Sequence, residues 1–412
     1  MHTHLSDEDT QPIQPRPKKR RRLVFIIICI SVGLLPMLAL LLSSWGKALS
    51  HTTHVAPATH HQTTVRLHSQ SSHVFPSSEI ASQVDSLLTT QVNSQQFSGS
   101  VLVAQNGQVV VAQGYGMANA QNSTPNTATT RFYLGSVTKE FTAMAILMLQ
   151  EQGKLQVSDQ VCSYIAQCPL PWQPVTIHEL LTHTSGIPEL DDSQISGASP
   201  QAWINSFDNN ALQFIPGGQF DYCSTCYQIL AYVVQQVSGV PYSQFIQQMI
   251  LNPLHMNRSG FDANDYYAQP DSAIGYETWQ VNSPEIAEQS DPQWSFLFGS
   301  GLLYSTVEDL YSWDQALYTN TLVSQQTLTQ IFTPYVTATS LFPNSQYGYG
   351  WFLTQSPVLG HQLIWHYGVL DGFRNYIGRY VDDHVTIIVL SNLSTVDSVA
   401  LEHSIEQKVF TK

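Results

Sequence analysis

GSVTKEFTAMAILMLQEQG, residues 135–153, is the stretch on which the reading of this chain turns. Its apolar residues Val137, Phe141, Met144, Ala145 and Met148 recur at helical spacing, and Gly153 closes the run as a C-terminal cap. The pattern predicts a helix over 136–152. Residues three apart on a helix are surface neighbours, so Lys139 lies beside the Ser136 hydroxyl and, when neutral, can help remove its proton. A serine in the first turn also meets free amides and the positive end of the helix dipole, which favour developing negative charge. An N-cap serine followed by a solvated lysine fits the same letters. Ser44-Trp45-Gly46-Lys47 repeats the spacing in polar, loop-like sequence with nothing to bury it, so spacing alone selects nothing.

Outward from this helix the pattern becomes that of strands. SVLVAQNGQVVVAQGY, residues 100–115, reads as two β-rich runs joined by Asn106-Gly107, a two-residue hairpin signal. Far downstream, 361–366, 373–380 and 384–391 are further strand candidates, separated by Asp371-Gly372 and Asp382-Asp383. Helical patterns cover 176–183, 225–238 and 306–317, and a last one runs from Asp397 to Phe410. Strands from both chain ends around a helical middle predict an α+β fold. Its antiparallel sheet has about five strands flanked by helices, and a mostly helical second lobe leaves a cleft for an active site.

The N-terminus carries a different message. Residues 23–42, LVFIIICISVGLLPMLALLL, are uncharged and long enough to span a bilayer, and Arg16, Lys18, Lys19, Arg20, Arg21 and Arg22 precede them. The positive-inside rule places residues 1–22 in the cytosol, 23–42 in the membrane as a single-pass anchor, and the rest outside the cell. A cleavable signal peptide is the other reading, but the run exceeds a usual h-region and Ala48-Leu49-Ser50 is a mediocre cleavage site. Residues 43–78, rich in Ser, Thr, His and Gln, are expected to form a flexible linker, and 79–412 the folded domain. The scattered linker histidines lack Cys or carboxylate partners at ligand spacing and read as solvated, so no metal is expected. The net charge is −14 although seven of the sixteen basic residues fall in the first fifty, which argues against a nucleic-acid partner. Four cysteines, Cys162, Cys168, Cys223 and Cys226, fall on the oxidising side; of three pairings the local ones, 162 with 168 and 223 with 226, are preferred.

Two more stretches join Ser136. Pro216 to Ser224 (PGGQFDYCS) puts a turn before Tyr222 and a helix start after it, so the phenol can project into a cleft. Trp365-His366-Tyr367-Gly368 sits at the end of a predicted strand, where the glycine allows close approach to the backbone edge. In this order the three elements resemble those of the serine beta-lactamase-like hydrolases related to class C beta-lactamases and low-molecular-weight penicillin-binding proteins. The resemblance covers roughly residues 80 to 410. LLTHTSGIP (180–188), GSGLLYSTVEDL (299–310) and YGYGW (347–351) also look like the family, and the combination is what is specific. The resemblance implies that Ser136 is the acylated nucleophile, Lys139 its proton partner and Tyr222 the companion general acid and base. It sets His366 at the first position of the Lys-Thr-Gly or His-x-Gly element as a fourth catalytic residue. Ser224, Gly368 and Val369 become substrate-binding positions, with the Val369 and Ser136 amides as the oxyanion hole.

Two departures accompany this. Ser224 stands where the family usually has asparagine, and a hydroxyl cannot offer both a carbonyl and an NH2 at that reach. Tyr367 is bulkier than the usual threonine or serine. His183 is assigned to turn packing. The implied function is a membrane-anchored extracytoplasmic serine hydrolase, without cofactor, acting on D-amino-acid peptides, β-lactams or small esters. The competing reading is a non-catalytic binding or sensory ectodomain that keeps the fold.

Overall fold

The computed structural model describes residues 77–189, 200–207, 211–278, 284–287, 299–356, 358 and 360–410. The basic N-terminus, the apolar run 23–42 and the linker through residue 76 lie outside the described residues. Among the described residues no helix is long and apolar enough to cross a membrane.

The large sheet has eight antiparallel strands: β1 Gly99–Gln105, β2 Gln108–Tyr115, β3 Val336–Thr337, β4 Gln346–Tyr347, β5 Phe352–Gln355, β6 Gln362–Leu370, β7 Phe373–Tyr380 and β8 Val385–Ser391. Their spatial order is β2-β1-β8-β7-β6-β5-β4-β3, so strands from the two ends of the domain pair with each other, Gly99 facing Ser391 and Gln105 facing Val385. The five strands expected from the sequence are all present. The three additional ones are two to four residues long, too short to show an alternation. A second difference concerns β6. It continues past His366 to Leu370, because Asp371-Gly372 turns the chain tightly and lets Gly368, Val369 and Leu370 pair with Asn375, Arg374 and Phe373. The Trp365–Gly368 motif therefore lies within a strand rather than at its end.

Successive side chains point to opposite faces of the sheet, and both faces are apolar. Val101, Val103, Trp365, Tyr376, Ile387 and Val389 join one core, and Leu102, Ala104, Ile364, Ile377, Ile388 and Leu390 the other. Six helices carry the argument: α1 Ser77–Asn93, α2 Thr138–Glu151, α3 Ile177–Leu181, α4 Ser224–Ser238, α5 Val307–Ala316 and α6 Ser398–Phe410. Ile80, Val84 and Leu88 of α1 and Leu401, Ile405 and Val409 of α6, each spaced by four, seal the first face. The second face packs on the helical middle, including Phe141 and Met144 of α2 and Leu230 and Val234 of α4. Helix ends follow local chemistry: Thr176 and Glu179 form a reciprocal capping box on α3, Thr306 caps α5, and Gly239 ends α4 at φ +78°.

A buried ion pair ties the helical middle to the sheet. Arg379 of β7 donates to the Asp314 carboxylate of α5, and the Thr386 hydroxyl of β8 donates to the same carboxylate at 2.7 Å. Both charged residues are sealed from solvent, and the guanidinium lies 4.5 Å from the Tyr318 ring centroid. Removing one partner strands the other charge in apolar surroundings. Asp314→Ala is therefore expected to lower the unfolding free energy by about 3–5 kcal/mol in urea titrations, whereas a loss below about 1 kcal/mol would mean solvent reaches Arg379.

Candidate active site

Ser136 stands in a 3-10 turn, Gly135–Val137, that leads directly into α2. Val137 is the N-cap of α2 and makes no side-chain cap, so Ser136 is not a capping serine. Nor is Lys139 solvated. It is fully buried, and its Nζ donates to Ser136 Oγ at 3.0 Å and to the Ser300 carbonyl at 3.0 Å, and reaches Ser224 Oγ at 3.5 Å. The Tyr222 and Tyr227 rings face it at 4.9 and 5.7 Å. Burial pulls the lysine pKa down to about 7, partly opposed by the negative charge of Glu189. A substantial neutral fraction of this amine, hydrogen-bonded to a hydroxyl, has the geometry of a general base and its nucleophile.

Tyr222 is held from behind by His183. The His183 Nδ1 accepts the Cys223 N–H at 3.0 Å, its carbonyl accepts the Asp221 N–H at 2.9 Å, and its ring packs 4.4 Å from the Tyr222 ring. Nδ1 is therefore the acceptor and Nε2 carries the proton. Burial first, then Lys139 and His366, hold His183 well below the usual imidazole range, so it is neutral. Turn packing is thus the form of its role, and the object it packs is Tyr222. The adjoining Cys223–Cys226 disulfide staples the first turn of α4, and Cys162–Cys168 closes the second preferred pair. The Tyr222 hydroxyl is buried and faces the Ser136 hydroxyl, whose hydrogen bond partly offsets the effect of burial on the phenol. Burial dominates and keeps the phenol protonated.

The Ser136 turn is pressed onto the open part of β6. β5 pairs only with residues 362–365 of β6, leaving its later residues uncovered on that side. A Cβ on Gly368 would fall 1.9 Å from the Leu134 carbonyl oxygen and 3.3 Å from Ser136 N, and one on Gly135, at φ +57°, would fall 2.7 Å from Val369 N. Two glycines thus bring the Ser136 and Val369 backbones together. Ser224 presents its hydroxyl to Lys139, and the Val369 side chain is half exposed.

His366 is set into the sheet beside Tyr222 and Tyr347. It is fully buried, Nδ1 donates to the Tyr367 carbonyl at 2.7 Å, and Nε2 accepts from the Tyr347 hydroxyl at 3.1 Å. Burial, reinforced by Lys139, lowers its pKa to about 3. Both ring nitrogens are thus engaged and the ring is uncharged, with its centroid 6.3 Å from that of Tyr222. Its lysine-like place in the motif hid this, because the partner that saturates it, Tyr347, lies on a two-residue strand. Sequence reading also missed the Ser300 carbonyl and Glu189. The signal was at hand, since His183, Ser300 and Tyr347 come one each from the three accessory stretches 180–188, 299–310 and 347–351. Among the described residues one group, Glu402, His403 and Glu406 of α6, has three donors within 4.8 Å, but it lies on the opposite face of the sheet and its carboxylates accept from Tyr380 and Ser356.

The beta-lactamase family model matches residues 84–409. This chain belongs to the beta-lactamase family. It is 33% identical over 317 residues to a Bacillus subtilis (strain 168) protein named "Putative penicillin-binding protein PbpX", covering 76% of this chain and 74% of that one. Among solved structures, the octameric penicillin-binding protein homologue from Pyrococcus abyssi superposes with a TM-score of 0.69 at 28% identity, covering 79% of this chain and 76% of the other. The penicillin-binding protein from Bacillus halodurans gives 0.67 at 27% identity, covering 77% and 98%.

In this family member the contact between the serine turn and β6 is the most sterically exacting part of the site. Gly368→Ala is expected to force the two backbones apart and lower the rate of Ser136 acylation by about 100-fold or more, the scale of one lost oxyanion donor. Comparable acylation rates for variant and parent in stopped-flow labelling would show that the amides are not set by this contact.

Proposed function

We propose that the protein is an extracytoplasmic serine hydrolase working through an acyl-enzyme on Ser136. The observation that carries this is the buried Lys139 amine hydrogen-bonded to the Ser136 hydroxyl at 3.0 Å. In this reading Ser136 Oγ attacks the substrate carbonyl and its proton passes to Lys139. The oxyanion forms against the Ser136 and Val369 amides, and as the carbonyl re-forms Tyr222 gives its proton to the departing amine or alcohol and is reprotonated by the Lys139 ammonium, which becomes neutral again. Water then attacks the acyl-enzyme, giving up a proton along the same path and restoring Ser136. His183 and His366 aim Tyr222 without exchanging protons.

The substrate classes proposed are D-amino-acid peptides and small esters, with β-lactams third. The names of the relatives and an outside location favour the peptide, and Ser224 in place of an amide side chain favours the ester. The location rests on the uncharged run 23–42 and its basic flank, read as a single-pass anchor, with 43–78 as tether.

Labelling intact cells and lysates with a membrane-impermeant fluorescent penicillin and a fluorophosphonate tests these points together. Expected is labelling of the parent in intact cells, its loss in Ser136→Ala with the fold retained, and a rate about 100- to 10,000-fold lower in Tyr222→Phe. Labelling of Ser136→Ala at the parental rate sinks the nucleophile, and labelling confined to lysates sinks the outside location. The pH dependence has a definite sign. Lys139 must be neutral to accept the proton and its pKa lies at about 7, so acylation should rise with pH through neutrality and fall about tenfold per unit below it. A flat profile between pH 5 and 8 would remove Lys139 from the base role.

A further inference from the structure

We propose that Glu189 is the counter-charge of Lys139, an anionic positioning residue that ties the protonation of the site amine to the start of α4. The proposal rests on the acyl-enzyme reading for its consequence in catalysis, but the coupling itself is a property of the folded chain. A buried ammonium needs compensation, and most groups facing Lys139 supply none. The Ser136 and Ser224 hydroxyls and the Ser300 carbonyl are dipoles. The Tyr222 and Tyr227 phenols are kept protonated by burial, and His183 and His366 are neutral for the same reason. Glu140, adjacent in sequence, accepts from Trp313 Nε1 at 2.8 Å, and burial holds its carboxyl well above the usual range. Among the described residues Glu189 is then the anion that acts on Lys139.

Its position explains why. Glu189 Oε2 accepts the Thr225 N–H at 3.1 Å, in the first turn of α4, next to Ser224, whose hydroxyl lies 3.5 Å from Lys139 Nζ. Cys223 already caps this helix through its sulfur, which accepts the Cys226 N–H at 3.0 Å, so a carboxylate at Thr225 adds charge beyond the capping bond. Glu189 is exposed as a residue, yet desolvation of its carboxyl raises its pKa, opposed by the Thr225 N–H and by Lys139, so its effect on Lys139 is moderate. A glutamine at 189 keeps an acceptor for the Thr225 amide and removes the charge, which separates electrostatic coupling from capping.

The full chain, in detergent and carrying 13C-labelled lysine, has seven lysines, few enough to assign Lys139 by its disappearance in Lys139→Arg. The midpoint of Lys139 is followed by NMR, and the acid limb of fluorophosphonate acylation is recorded for the parent, Glu189→Gln and Glu189→Asp. Losing the anion destabilises the ammonium, so in Glu189→Gln both the midpoint and the limb should move down by about half to one pH unit. Below the limb this is about 3- to 10-fold more acylation relative to each variant's plateau. Glu189→Asp should stay near the parent. An unmoved or raised midpoint in Glu189→Gln overturns the proposal, and a lowered plateau with an unmoved midpoint assigns Glu189 to capping alone. If the parent is never labelled at any pH, the hydrolase reading fails, while the NMR midpoints still decide whether Glu189 holds Lys139.

Discussion

The structure around Ser136 depends on keeping one amine out of water. Lys139 sits in the first turn of α2, where among the described residues it meets the hydroxyls of Ser136 and Ser224, the Ser300 carbonyl and the Tyr222 and Tyr227 rings. Desolvation penalises its charge, and that penalty is what makes a lysine useful as a base near neutral pH. The cost is borne by the surrounding fold. α2 is buried almost from end to end, and its partners α4 and the 299–303 segment must close on it without admitting solvent. Thr142 illustrates the closure, bonding the Gly299 carbonyl and the Tyr242 hydroxyl, both at 2.6 Å.

The second constraint is steric. The Ser136 turn and the Val369 backbone of β6 approach closely, and glycines on both partners permit it. The rest of the domain can be seen as holding that contact. β6 is fixed through β7 and β8 to β1, and α5 is locked to the same strands by the Arg379–Asp314 pair. The two buried cations of the domain are treated in opposite ways. Arg379 receives a full carboxylate partner; Lys139 receives dipoles and a distant anion, and burial brings its pKa down to about 7.

Much of this was legible in the letters. The Asn106-Gly107 hairpin, the 373–380 and 385–391 strands and the apolar spacing of α2, α4 and α5 carry periodic signals over enough residues to be read. The four-residue spacing of Ile80, Val84 and Leu88 is equally regular, but α1 follows directly on the Ser/Thr/His-rich stretch. The three edge strands hold no pattern to read. At the site, Ser136, Lys139 and Tyr222 follow from motif order, and the two local disulfides from their spacing. What the sequence could not supply was saturation. Whether His366 faces a substrate or is spent on internal bonds depends on Tyr347 and the Tyr367 carbonyl, and a three-residue motif does not contain that information.

Ser224 shows how such contacts change the meaning of a substitution. Read in the motif, serine for asparagine is a loss, since an amide group that can both donate and accept has gone. In the folded chain its hydroxyl stands 3.5 Å from Lys139 Nζ on the helix turn whose Thr225 amide Glu189 takes up. An amide at this position would bring a fixed carbonyl dipole to the ammonium and help to keep it charged; a hydroxyl, free to rotate, can turn either its proton or its lone pairs toward the amine. It can therefore donate to the neutral amine before proton transfer and accept from the ammonium after it. The residue that weakens recognition of a substrate amide is, by the same chemistry, one that suits a lysine poised between two protonation states.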